Sequence, residues 1–437
     1  VQGAVANGKP LLSLFSTTDE DFHAKYRRCV NNAFAMSSLV NYEPLVNSTL
    51  TYWLDKTETM FANTGASCNF SQWLQFFAFD VIGDLTWSKR LGFVEGNKDV
   101  DNIIGFLGKF FDYVAPVSLL DLSQHLNLAH LVQVGQMPIL DRILWKNPIS
   151  LFAQRIGLDK RIHPVTLFAL SRSNERAQQV SKIKKFGLSD DERANPRGID
   201  LLSKFAQASH DHDFMDDNRI LSTCTSMVFA GSETTAISLS AVFYFLVKHP
   251  HVYKKLMQEL DEAAANGTIE ERDDKTVSWP EAQKLPYLDA VIQEAFRLHP
   301  APGLILERVV PRTGMKIADE FIPGGTIVGC NAWVIHRRAE VFGSDVDAFR
   351  PERWLDASPE KLKEMKGSML QFGAGARTCI GKNISLLEIY KLVPSFLRRF
   401  EIELEYPGAE WKTHNAWFVT QKNFNTRFRP RVAKVET

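Results

Sequence analysis

The chain has 437 residues, of which 45% are hydrophobic and 23% charged, the proportions of an ordinary globular protein. Lys plus Arg and Asp plus Glu balance at 51 each, which argues against a broad electrostatic footprint for nucleic acid. The 30 phenylalanines suit a large interior with room for an apolar ligand. The five cysteines (Cys29, Cys68, Cys224, Cys330, Cys379) are odd in number and widely spaced, and no pair has metal-site spacing. A reduced compartment fits them better than a disulfide framework. Val1 to Pro10 is too polar to be a signal peptide.

Thr17 to Asp21 combines cap candidates with acidic residues and predicts a helix start. The helix carries His23, Lys25, Arg27 and Arg28, which on pattern alone read as a solvated basic face. Trp73 to Trp87 reads as a buried core helix. Ile103 to Trp145 is apolar with breaks at Pro116 and Pro138, and Ser181 to Arg197 reads as a charged surface linker. Ile220 to Val247 is the longest uninterrupted helical pattern, with one charge, Glu233. Its length and apolarity would suit a membrane span. A carboxylate and hydroxyls at Ser232 to Thr235 are costly in mid-membrane, so a helix through a protein core fits better.

His251 to Ala265 is amphipathic. The next helix, entered at Leu285-Pro286-Tyr287, places Glu294 and Arg297 one turn apart on one face. Alone, that pair is a commonplace surface ion pair of little energetic weight. Lys316-Ile317 and Thr326 to Cys330 carry strand signals around Pro323-Gly324-Gly325. Glu401 to Leu404 and Trp411 to Phe428 read as terminal strands and turns.

Gln371 to Tyr390 concentrates the chemistry. Gly373, Gly375 and Gly381 crowd around Cys379, and an apolar run at helical spacing follows (Ile384, Leu387, Leu392). Glycine allows positive φ and close backbone approach to a flat ligand. A helix N-terminus favours a thiolate over a thiol in the residues before it, and Arg377 adds a cation. A buried cysteine acting as a small hydrophobe is the competing reading on spacing alone.

Phe372, Gly375, Arg377, Cys379 and Gly381 reproduce F-x-x-G-x-R-x-C-x-G, which resembles the haem-binding loop of the cytochrome P-450 family. Ala230 to Thr235 resembles the family's oxygen-binding kink. Glu294 and Arg297 in QEAFRLHP resemble its E-x-x-R. Pro351-Glu352-Arg353-Trp354 resembles its P-E-R-F, with Trp354 in place of Phe. His336-Arg337-Arg338 departs from the usual H-R-D by losing the acid, which puts a local ion pair in doubt. The wording of several segments is most like fungal members of the pisatin demethylase type.

The resemblance implies a mainly α fold with small β-sheets, one domain over 1–437, enclosing haem b between the central helix and the cysteine loop. It implies Cys379 as the iron ligand. Glu233 and Thr234 are the proton-delivering pair, and Gly231 removes bulk beside the haem. His23, Arg27, Arg308 and Arg377 are expected at the propionates, with Phe372 and Gly381 also against the cofactor. Glu294, Arg297 and Arg353 form a scaffolding triad, and Ala230, Ala301, Leu304, Trp417 and Phe418 line the substrate pocket.

The implied activity is monooxygenation of an apolar small molecule, by hydroxylation or O-demethylation, in fungal secondary metabolism. It would use O2 and electrons from NADPH-cytochrome P-450 reductase. A peroxide-driven or isomerising haem-thiolate enzyme would need no acid–alcohol pair; a truncated, inactive haem protein is the other alternative. The family's N-terminal anchor, first helix and first strands are missing ahead of His23, so the sequence looks N-terminally truncated. Residues 115–132 read as an insertion. The implied location is the endoplasmic reticulum membrane, although the chain as given carries no anchor.

Overall fold

The computed structural model describes residues 5–6, 9–10, 12–114, 163–186 and 200–431. The chain is mainly helical with small antiparallel sheets, and packing divides it into two compact units. One comprises Val1–Cys68, Gln72–Ala236 and Asn383–Glu388; the other comprises Asn69–Ser71, Ile237–Lys382 and Ile389–Thr437. The segment read as an insertion, 115–132, lies outside the described residues.

In the first unit, α1 (Glu20–Val30) begins where Asp19 accepts the Phe22 N–H at 3.0 Å. Its inward residues are His23, Tyr26 and Val30, so His23 is buried and does not join a solvated basic face. The Tyr26 hydroxyl donates to the Arg219 carbonyl at 2.6 Å. Helices α2 (Glu43–Thr57) and α3 (Phe70–Trp87) meet through Trp53 and Trp73, whose rings stack at 5.9 Å. Both indoles are satisfied, Trp53 on the Trp73 carbonyl and Trp73 on the Thr57 hydroxyl. Buried Asp80 accepts four backbone N–H bonds, from Leu91, Gly92, Phe93 and Val94, and so fixes the turn after α3. Burial nonetheless raises its pKa.

Helix α4 covers Ile103–Val114 and α5 covers Pro164–Phe186. The expected linker at Ser181 therefore starts too early: Ser181 to Phe186 continue α5, whose run of good helix formers outlasts the charge signal. Buried Asp200 caps α6 (Leu201–Asp211) and receives Arg176 at 2.8 Å. The long helical pattern is two helices, α7 (Asp217–Gly231) and α8 (Glu233–Lys248), separated at Ser232.

In the second unit, Phe70 lies 5.0–5.6 Å from Phe243, Phe396, Phe424 and Phe428, making an aromatic core. Around it run α9 (Pro250–Ala265), α10 (Pro286–Leu298) and α11 (Lys382–Arg399). Strands β1 (Leu306–Val309) and β2 (Ile327–Cys330) pair antiparallel. Strand β3 (Phe400–Leu404) pairs with β6 (Asn425–Pro430), and β4 (Lys412–Ala416) with β5 (Phe418–Lys422).

Candidate active site

The cysteine loop is a turn held by its own backbone. Gly373 and Gly375 adopt φ of 68° and 66°, a region that strains any side chain. Gly373 N–H donates to Leu370 O at 2.8 Å, and Cys379 N–H donates to Phe372 O at 2.8 Å. The Phe372 ring rests edge-on against Phe296 of α10 at 5.6 Å. Cys379 is exposed and lies just ahead of α11, whose N-cap is Gly381. A Cβ at Gly381 would lie 3.9 Å from the Cys379 sulfur, an ordinary contact, so the steric need for glycine is at 373 and 375.

The loop is braced from α10. Glu294 and Arg297 are both fully buried and joined by two bonds, 2.8 and 2.9 Å. Arg353 Nε adds a third bond to Glu294 at 2.8 Å. The two guanidiniums also donate to the carbonyls of His336, Val346, Asp345 and Ala348. Each charge is thus paired and hydrogen-bonded, the condition under which burial is tolerable.

Trp354 donates its indole N–H to Glu294 Oε2 at 2.9 Å, a bond phenylalanine cannot make. Trp354→Phe should therefore cost about 1–3 kcal/mol, read as a lower denaturant midpoint at unchanged slope. An unchanged midpoint would show the indole bond to be dispensable.

His336 connects this brace to the loop. Its Nδ1–H donates to the Arg297 carbonyl at 3.1 Å and its Nε2 accepts the Leu370 N–H at 2.7 Å. That pattern requires the neutral ring, and burial pushes its pKa down to about 4. The sequence reading gave His336 no role, because nothing in the chain reveals that it faces Leu370. The ion pair put in doubt at Arg338 is made elsewhere, by Arg337 on Asp347 at 3.4 Å.

At the α7–α8 break the hydroxyls bond backward. Ser232 reaches the Val228 carbonyl at 3.3 Å and Thr234 the Ala230 carbonyl at 2.7 Å. Such bonds compete with the helical ladder and interrupt it, which periodicity cannot show. Thr235 donates to Ser385 at 3.1 Å, in the first turns of α11. A Cβ at Gly231 would meet Ile82 Cδ1 at 2.5 Å, so close packing on α3 accounts for that glycine without a ligand.

Glu233 is buried, and its Oε2 has no hydrogen-bond partner among the described residues. Burial, helped by the Asp112 carboxylate, pushes its pKa up to about 7. Ala230 is exposed and Thr234 half-buried on the same stretch.

The remaining predicted residues fall as follows. Ala301 and Gly303 are tied to the β4–β5 hairpin by Val419 N–H to Ala301 O and Gly303 N–H to Trp417 O, both 2.9 Å. Leu304, Trp417 and Phe418 beside them are half-buried. Trp417 forms the hairpin tip at φ 77°, unusual for so bulky a residue. A Cβ at Gly303 would lie 2.3 Å from Asn415, so only glycine permits this approach. Arg27 and Arg377 are half-buried; Arg308 is exposed on β1 and donates to the Glu307 carbonyl at 2.7 Å.

The sequence model of the cytochrome P-450 family matches residues 12–427. The chain belongs to the cytochrome P-450 family. It is 40% identical to cytochrome P-450 monooxygenase cicH of Emericella nidulans, over 97% of this chain and 78% of that protein. It is 38% identical to a cytochrome P-450 monooxygenase of Aspergillus terreus, over 90% of this chain and 74% of the other. A third relative, cytochrome P-450 monooxygenase cfoH of Aspergillus candidus, is 34% identical over 99% and 75%.

Cytochromes P-450 bind haem b through a cysteine thiolate and insert oxygen from O2 with electrons from a redox partner, generally a reductase. The donor chemistry of this chain fits that group. Burial raises the pKa of Cys68, Cys224 and Cys29, which disfavours a thiolate at each. The exposed cysteines are Cys330, within strand β2, and Cys379, in the glycine-bent loop before a helix.

Proposed function

We propose that this monooxygenase acts on an apolar small molecule, hydroxylating a C–H bond or demethylating an ether, with Cys379 as the haem ligand. The bound haem supplies O2 activation and oxygen transfer to carbon. The chain supplies the thiolate, the proton source and the apolar walls. Exposed Lys25 and Arg28 on α1 support docking of an acidic redox partner, NADPH-cytochrome P-450 reductase, at the endoplasmic reticulum membrane. Secondary metabolism is the proposed setting, from the resemblance to fungal enzymes. Arg353, with Glu294 and Arg297, holds the loop in place, while His23, Arg27, Arg308 and Arg377 are the proposed propionate partners.

The observation that carries the reading is Glu233. A carboxyl that is buried, has an unpartnered oxygen and titrates at about 7 can both hold and release a proton at working pH. Thr234 beside it returns its hydroxyl to the Ala230 carbonyl and has a lone pair left to accept that proton. Ala301, Leu304, Trp417 and Phe418 carry no charge, which suits an apolar substrate.

The sign of the pH effect follows from the raised pKa. The acid is protonated below about 7 and loses its proton as pH rises through that value. With a compound that shifts the haem spin state and is turned over, product formed per NADPH should fall as pH rises from about 6 to 9. Glu233→Gln should lower that ratio and flatten the profile. An unaltered profile in the variant would remove Glu233 from proton delivery.

A further inference from the structure

His163 stands directly before α5, and its carbonyl accepts the Leu167 N–H at 2.9 Å. Its ring lies inside an aromatic cage. Phe106 and Phe110 of α4 meet it edge-on, at 5.0 and 5.3 Å, and Phe229 of α7 lies 5.5 Å away at 33°. Phe110 and Phe229 also touch each other, at 5.3 Å, so the cage closes on itself. Nδ1 of His163 is buried and has no hydrogen-bond partner among the described residues. Burial pushes the imidazole pKa down to about 4, so the ring is neutral at working pH. Nδ1 can therefore present either an N–H or a lone pair, according to the tautomer.

A phenylalanine here would complete the ring cluster without stranding a polar atom. Buried polar atoms are normally paired, and one left alone weakens the fold unless something else meets it. The cage is also placed for a ligand of the proposed reaction. Phe229 precedes the Gly231–Thr234 break by one turn of chain or less, and Asp112, which raises the proton affinity of Glu233, belongs to the helix that carries Phe106 and Phe110.

We infer that His163 is a specificity-determining residue whose Nδ1 hydrogen-bonds an oxygen function, hydroxyl or carbonyl, on a ring-bearing apolar substrate held by Phe106, Phe110 and Phe229. This rests on the monooxygenase reading above. The rings provide area and shape, and the single polar atom orients the molecule. A site that hydrogen-bonds a substrate oxygen discriminates against the analogue lacking it, because its own polar atom is then left unpaired.

The test uses the haem-loaded protein and two probes of one shape, 1-naphthol and naphthalene, with affinities from equilibrium dialysis. In His163→Phe the preference for 1-naphthol over naphthalene should fall about tenfold relative to the wild type, naphthalene binding being retained. His163→Asn, which places an amide near the level of Nδ1, should keep most of the preference, as a purely structural role would not require. An unchanged ratio in His163→Phe, equal loss in both variants, or failure of the wild type to bind either probe overturns the assignment. The reduced CO spectrum of the same preparations separates the two readings. Loss of the thiolate signature in the wild type sinks the monooxygenase site, whereas a normal signature with an unmoved ratio sinks His163 alone.

Discussion

Cys379→Ala, loaded with haem, should give a reduced CO complex lacking the red-shifted Soret band of thiolate ligation, and product formation should fall by about a thousandfold or more. The size follows from what the sulfur contributes: electron density that favours O–O cleavage, which neither alanine nor water replaces. The five cysteines separate on environment. Cys68 and Cys224 are buried, and burial pushes Cys224 up to about 12. Cys29 is half-buried and raised, with burial the leading cause, against Arg219 and Arg28. Cys330 is the natural control, because it is exposed like Cys379 but sits within a strand, away from any helix start. Cys330→Ala should leave band and turnover unchanged. A band that survives in Cys379→Ala and vanishes in Cys330→Ala would move the ligand to β2.

The cysteine loop was legible in the sequence because its chemistry is local. Glycines that need positive φ, the cysteine and the start of α11 lie within one short run, and the backbone closes on itself from Leu370 to Cys379. The helical spacing of Glu294 and Arg297 was legible for the same reason, as was the mainly α class. What stayed hidden depends on distant partners. His336 meets Leu370 only because α10 and the segment after β2 fold against each other. Trp354 looked like a conservative change until its indole N–H was found on Glu294. The break at Ser232 did not show in an apolar periodicity that runs straight through it, because hydroxyls bonding backward leave no trace in hydropathy. Gly231 could be read as space for a ligand, but the atom its missing Cβ would strike belongs to Ile82, far away in the chain.

Glu294→Ala should prevent accumulation of folded, haem-binding chain. Removing one partner of a buried ion pair costs about 3–5 kcal/mol, because the other charge is left uncompensated. Here one carboxylate serves two buried guanidiniums, Arg297 and Arg353, so two cations lose their counter-ion in a single substitution. It also strands the Trp354 indole N–H and the Arg350 backbone N–H, which Glu294 accepts at 2.9 and 3.0 Å. Against a total stability of about 5–15 kcal/mol, that sum leaves little or nothing. Glu294→Gln separates charge from shape: it keeps an acceptor for one or two of the donors but leaves both guanidiniums without a neutralising charge, so it should be nearly as damaging as alanine. If Glu294→Gln folds and binds haem with a midpoint within about 1 kcal/mol of the wild type, the carboxylate charge is not what holds the brace. The double replacement Glu294→Leu with Arg297→Met then becomes the informative variant. Apolar side chains of similar volume can substitute for a buried pair, but Arg353 would still face them with Asp345 as its remaining carboxylate at 3.0 Å. Recovery of stability without recovery of haem binding would show that the triad's geometry, rather than its energy, is what sets the path of the cysteine loop.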